Sequence, residues 1–222
     1  MPTESPFKMK YQILGLFTGK IAKLKNDKES AITKKPRTTL IIKKDSITHD
    51  EFADKKHHGG EMRVIHHYFQ KNYSYLKEKF PDIADRFVPG SFGENILTEE
   101  LIEEELNIGD IYQLGTAKIQ LTVCRRPCAV INYAYDDNRI LKELITSGKT
   151  GCFYRVLQEG EVKLDDELIF LERPYPNMPL TKLHEQGYGT NPFSDREFLK
   201  QCLNTGLMDK EWKLKIESAL SK

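Results

Sequence analysis

The 222-residue sequence predicts a mainly β fold, barrel-like with a few flanking helices and followed by a small all-helical C-terminal module. Three observations predict it. Between Tyr11 and Arg173 the chain runs in short stretches of β-branched and aliphatic residues divided by Gly, Asp and Asn, the spacing of strands and turns. Three prolines then crowd into Arg173-Pro174-Tyr175-Pro176-Asn177-Met178-Pro179, which suits neither strand nor helix. Beyond them apolar residues recur at helical spacing.

Taken in order, strands are predicted over 13–18, 39–43, 63–68, 111–114, 118–123, 153–158 and 167–171. In 118–123, Ile119, Leu121 and Val123 alternate with Lys118, Gln120 and Thr122, so one face should be buried. Helices are predicted over 73–80 and after Asp136, where Ile140, Leu141, Leu144 and Ile145 share a face and Gly148 can end the run; both should cover the barrel. The proline cluster sets a boundary between a barrel domain, 1–173, and a helical module, 174–222. In the module Ser194 and Glu197 have capping-box spacing, Phe198, Leu199, Cys202 and Leu203 follow, and Trp212, Ile216, Ala219 and Leu220 repeat the stripe. So short a module buries little alone, so its stripes should dock on one another and on the barrel or a partner.

Composition narrows the function. Lys plus Arg is 34 and Asp plus Glu 33, a net +1 that gives no support to a nucleic-acid polymer as partner. The apolar run 13–17 is too short to span a bilayer and lacks the layout of a secretion signal, so a cytoplasmic protein without membrane attachment is expected. Four cysteines, irregularly placed, read as reduced thiols rather than a disulfide framework. There is no P-loop, dinucleotide fingerprint or four-cysteine iron–sulfur pattern, so any redox role needs an outside reductant.

Chemistry concentrates in three places. Cys124-Arg125-Arg126-Pro127-Cys128 follows a predicted strand and sets a thiol beside two guanidinium groups, a setting that favours the thiolate. Such a sulfur can be a nucleophile, a redox thiol or a soft metal ligand, and the arginines can grip an anion; ordinary burial competes with all of these, and is the reading for Cys152 and Cys202. Lys55-Lys56-His57-His58-Gly59-Gly60, followed by Arg63, His66 and His67, raises zinc, but His66 and His67 must face opposite sides of a strand and no carboxylate or Cys sits at a zinc spacing; Gly59-Gly60 with His58 and Arg63 could instead make an anion cradle or be a plain turn. Gly90-Ser91-Phe92-Gly93-Glu94-Asn95 combines backbone freedom with polar groups, as either a ligand-contacting loop or a plain tight turn.

In order, Lys56-His57-His58-Gly59-Gly60, Gly90 through Leu97, Ile108-Gly109-Asp110, Arg125-Arg126-Pro127-Cys128 and Gly151 through Val156 resemble a MOSC domain, the molybdenum-cofactor sulfurase C-terminal domain family, and more narrowly its YiiM-like branch. The likeness runs from about Gly19 to Leu171, and the helical tail is similar to the three-helix appendage of that branch. Two departures stand out: Cys124 where the branch usually has Pro, and Asp165-Asp166 in place of its second Gly-Asp turn. Cys124 could then compete for Cys128 by forming a disulfide.

The resemblance implies a MOSC-type β-barrel, a molybdopterin-based molybdenum cofactor and the reduction of N-hydroxylated compounds such as hydroxylaminopurine-type bases, hydroxylamines and amidoximes. It implies Cys128 as the metal ligand, with His58, Gly59, Gly60, Arg63, Asn95 and Arg125 binding the cofactor and Cys128, His58 and Asn95 in the catalytic set. His58 or a water on Asn95 is the candidate proton donor. Expected partners are a small N-hydroxylated substrate and an external electron-donor reductase, a flavoprotein or similar; a homodimer is left open. Two rivals remain: a persulfide carrier or cofactor-handing module at Cys128 without turnover, and a metal-free pterin- or nucleotide-binding protein.

Overall fold

The structure, a computed structural model, describes residues 10–24, 27–54 and 59–222. Its strands are β1 (Lys10–Thr18), β2 (Ala22–Lys23), β3 (Glu29–Ser30), β4 (Lys35–Arg37), β5 (Thr39–Ile42), β6 (Ile65–Phe69), β7 (Ile96–Thr98), β8 (Ile111–Leu114), β9 (Ala117–Cys124), β10 (Cys152–Gln158), β11 (Gly160–Lys163) and β12 (Glu167–Glu172). Its α-helices are α1 (Gln70–Lys79), α2 (Val130–Tyr135), α3 (Arg139–Ser147), α4 (Leu180–Tyr188), α5 (Arg196–Asn204) and α6 (Lys210–Leu220).

Seven strands close a barrel in the order β12-β8-β9-β10-β6-β7-β1, because β1 pairs with β12 through Lys10 to Gln12 and with β7 through Ile13 to Leu16. The register with β7 slips between Ile13 and Gly15. β6 and β7 are parallel and every other neighbouring pair in the ring is antiparallel. Closure leaves the ring without a free edge, and its interior is filled by side chains such as Leu16, Ile65, Ile119, Leu121, Tyr154 and Val156, all fully buried. A second, aromatic cluster sits beneath α1, α2 and α3, where Phe92 lies 4.9 Å from Tyr68 and 5.0 Å from Tyr135.

The tail docks on the barrel. Leu183, Phe198, Leu199, Cys202, Trp212 and Ile216 belong to the same apolar cluster as the barrel interior. Arg173, at the start of the proline cluster, grips fully buried Asp110 through Nε and Nη2 at 2.8 Å each and also reaches Glu105 O at 2.7 Å. Asp166 ties its turn by accepting from Lys163 N at 2.7 Å, which is how Asp165-Asp166 serves in place of the Gly-Asp turn usual in that branch.

Four local expectations change. The α5 cap is Asp195 rather than Ser194: its Oδ1 accepts from Phe198 N at 3.0 Å, and a carboxylate there also suits the helix dipole. β9 is buried on both faces beyond Lys118, because Gln120 bonds Arg155 and Gly109 O, and the Thr122 hydroxyl lies 2.6 Å from Met62 O, beneath a 3-10 turn at Glu61–Arg63. That turn also delays the strand expected over 63–68 to Ile65. Short β7 and α2 were not anticipated at all.

Candidate functional site

The loop from Gly90 to Asn95 is built around one buried carboxylate. Glu94 accepts from Gly90 N at 2.5 Å, Phe92 N at 3.2 Å and the Tyr73 hydroxyl at 2.6 Å. Burial nevertheless raises its pKa above the usual carboxylate range. Gly90 has φ +90, and a Cβ there would fall 2.5 Å from Lys34 O, so the position requires glycine. The loop thereby presents Phe92 O, which accepts from Arg125 Nη1 at 2.5 Å and aims that guanidinium.

Asn95, next in the chain, joins three segments. Its Oδ1 accepts from His66 N at 3.0 Å, and its amide donates to Phe17 O at 3.2 Å and to Asp50 Oδ2 at 2.9 Å. Asp50 also accepts from Lys34 Nζ at 2.6 Å and Gly19 N at 2.7 Å, and the Lys34 and Asp50 side chains are only 4% and 0% exposed. A buried pair this well bonded holds the wall of a site in one arrangement. Both Asn95 amide hydrogens go to protein acceptors, so the residue is a strut that joins these segments at the cavity wall.

The two adjacent histidines part company as strand alternation requires. His67 points into the barrel, with Nδ1 3.1 Å from the Tyr154 hydroxyl and Nε2 2.8 Å from Thr98 Oγ1; burial pushes its pKa down to about 3. His66 lines the cavity described next; burial first, and then the Arg125 charge, hold its ring neutral with a pKa well below the usual value. Its Nε2 is buried beside Gly151, where a Cβ would fall 3.0 Å from it.

A cavity of about 440 Å³ opens beside this wall. It gathers Gly59, Arg63, His66, Asn95, Arg125 and Cys128, with Phe52 and Phe153 as aromatic walls and Arg126, Lys34 and Glu211 at its border. Cys128 is half-buried just where the chain leaves β9 and turns into α2, its carbonyl accepting from Ile131 N at 3.1 Å. Gly60, with φ +91, starts the 3-10 turn, and its carbonyl accepts from Arg63 N at 2.8 Å. The turn that Gly60 starts is the one that carries Arg63. His58 lies outside the described residues.

Cys124 does not share this cavity. It is buried among the barrel residues opposite Cys152, burial raises its thiol pKa far above the usual value, and it lines a separate cavity of about 230 Å³ with Glu103, His184 and Tyr188. All four cysteines are free. The expectation that Cys124 competes for Cys128 is thus corrected, because β9 keeps Cys124 in the sheet whereas Pro127 carries Cys128 out of it. Among the described residues no group of three or more His, Cys, Asp and Glu is placed to hold a metal ion.

The MOSC domain model matches residues 54–169, a span that contains the cavity's glycine, arginine, asparagine and cysteine positions. The chain belongs to the MOSC family. It is 37% identical over 166 residues to protein YiiM of Escherichia coli strain K12, covering 74% of each chain. The crystal structure of YiiM from Escherichia coli superposes with a TM-score of 0.79 at 25% identity, over 96% of this chain and 93% of that one. A Gibberella moniliformis protein named a reductase is 36% identical over 128 residues, 57% of this chain but 23% of its own length. This MOSC chain also has, among its described residues, no helix long and apolar enough to cross a membrane.

Sequence reasoning passed over His66, Lys34, Asp50 and Glu211 as site residues. Only His66 left a usable signal: two adjacent histidines on one strand must send one ring to each side.

Proposed function

We propose that this MOSC protein holds a molybdenum cofactor through the Cys128 thiolate and reduces N-hydroxylated compounds, taking electrons from a separate reductase. The observation that carries the reading is the meeting of a half-buried thiol, Cys128, with Arg125 and Arg63 around one cavity of about 440 Å³. The donor set fits such a group: the chain offers one soft sulfur, which suits a metal that arrives with sulfur ligands of its own. The guanidiniums of Arg125 and Arg63 suit the cofactor's phosphate and polar ring edges.

When bound, the cofactor supplies the two-electron chemistry that splits an N–O bond, turning a hydroxylamine and two protons into an amine and water. The chain's own share is placement. Arg125 is pre-aimed by Phe92 O, and Phe52 and Phe153 offer flat apolar surfaces suited to an aromatic or amidine substrate. The Asn95–Asp50–Lys34 network keeps the wall from yielding. His58 is the group we offer for handling protons in this reaction, and His66 stays neutral in the wall.

The test is turnover of hydroxylaminopurine by protein from a cofactor-producing host. Reduced viologen, or NADH with an added flavoprotein reductase, should support conversion, and NADH alone should not. Substrate-dependent NADH oxidation by the isolated chain, or no turnover with any donor despite bound molybdenum, contradicts the proposal.

A further inference from the structure

Two of the three arginines at the cavity are already engaged by the tail. Arg126 Nη1 lies 2.7 Å from Glu211 Oε2, and Arg63 stands 3.5 Å from Asp209 Oδ2 through Nε and 4.0 Å from Glu211 Oε2 through Nη1. These side chains are largely shielded, Arg63 at 13% and Glu211 at 26% exposed, so their attraction is only partly screened. Glu211 is not free to drift away: Asp209 caps α6 and accepts from Glu211 N and Trp212 N at 2.9 Å each. Arg125, by contrast, is held by a carbonyl, Phe92 O.

We infer that Glu211 is a specificity-determining residue of this cavity: a built-in carboxylate, delivered by the tail helix, that competes with phosphate-type anionic groups for Arg63 and Arg126. A carboxylate and a phosphate engage the same guanidinium edges, so an anionic ligand must displace Glu211 or share its partners, and its affinity is reduced by that competition. A neutral ligand group meets no such cost. The tail thus takes part in selecting what enters the cavity, and only the most strongly anionic ligand end recruits all three arginines.

The inference rests on the cavity being the ligand site and makes no use of bound metal. Its test is calorimetric titration of the full chain with inorganic phosphate. Glu211→Gln, which keeps shape and removes charge, should bind phosphate about tenfold more tightly than the unaltered protein. Adding Arg126→Gln to that variant should abolish the gain. Glu217→Gln removes the same charge from an exposed position on the same helix and should leave phosphate affinity unchanged. Equal or weaker binding by Glu211→Gln, a gain that survives loss of Arg126, an equal gain in Glu217→Gln, or no phosphate binding by any variant overturns the inference. Molybdenum and pterin content, measured separately, decides the reading on which it rests.

Discussion

Cys124 and Cys128 belong to one short motif, yet they end in different cavities with different chemistry. Cys124 stays in β9, opposite Cys152 in the register, where burial holds its proton and the apolar cluster surrounds it. Cys128, past Pro127, stands half-buried at the border of the larger cavity with Arg125 and Arg63. The same contrast separates His67, sealed in the barrel between Tyr154 and Thr98, from His66 on the cavity wall. A side chain's chemistry is decided here by which side of the strand it leaves from and where the strand ends, more than by its neighbours in sequence.

The most severe way to disturb this contrast is through the tail, which serves both sides. It covers the Cys124 side with α4 and supplies Glu211 to the Cys128 side. Trp212→Ala should cost about 3–5 kcal/mol, because the ring is fully buried against Tyr188 and Phe193. Removing everything after Arg173 should leave a barrel prone to aggregate, since Leu183, Phe198 and Ile216 vanish from its core. Urea unfolding and light scattering check both; a soluble truncated barrel of unchanged stability would show that the tail is peripheral.

The histidine pair sharpens the comparison through pH. Both folded-state pKa values are depressed, His67 to about 3 and His66 well below the usual value. The unfolded chain takes up these protons below about pH 6.5 while the folded rings stay neutral, so their stabilisation is complete above that pH and is lost as pH falls. With a folded pKa of about 3, His67 should add about 1.4 kcal/mol per pH unit to the slope of stability between about pH 6 and 4, and His66 adds in the same direction. His67→Gln should remove its share of that slope in urea titrations at several pH values. An unaltered slope would place His67 in contact with water.

Much of the fold was legible and less of the site. The barrel strands announced themselves by β-branched runs and turns, and the tail by the proline cluster and the Trp212 stripe. Short β7 is fully buried and carries no alternation, while α2 begins with Val130 and Ile131, poor helix formers that hide it. Cys128, Arg125, Arg63 and Gly59 could be read because they cluster in motifs. Lys34 and Asp50 could not, since the pair forms only when β1 and the Gly90 loop bring distant segments together. Glu211 was concealed because an acid in the first turn of a helix is what the helix dipole favours anyway.

The gentlest probe is Cys124→Ala. It should cost about 1 kcal/mol of stability and leave both activity and sensitivity to oxidants as they were, because the two thiols line separate cavities. Reduced sensitivity in an oxidant-inactivation assay would mean that Cys124 reaches Cys128 after all.

The central claim, that Cys128 is the metal ligand, is tested most directly by molybdenum content per chain in the unaltered protein and in Cys128→Ser, both purified from a cofactor-producing host. A hydroxyl is a harder and far less acidic ligand than a thiol, so the account predicts close to stoichiometric metal in the first and almost none in the second, with circular dichroism showing both folded and the loaded protein unfolding at the higher temperature. Full molybdenum retention by a folded Cys128→Ser protein, or no molybdenum in the unaltered chain, would contradict it.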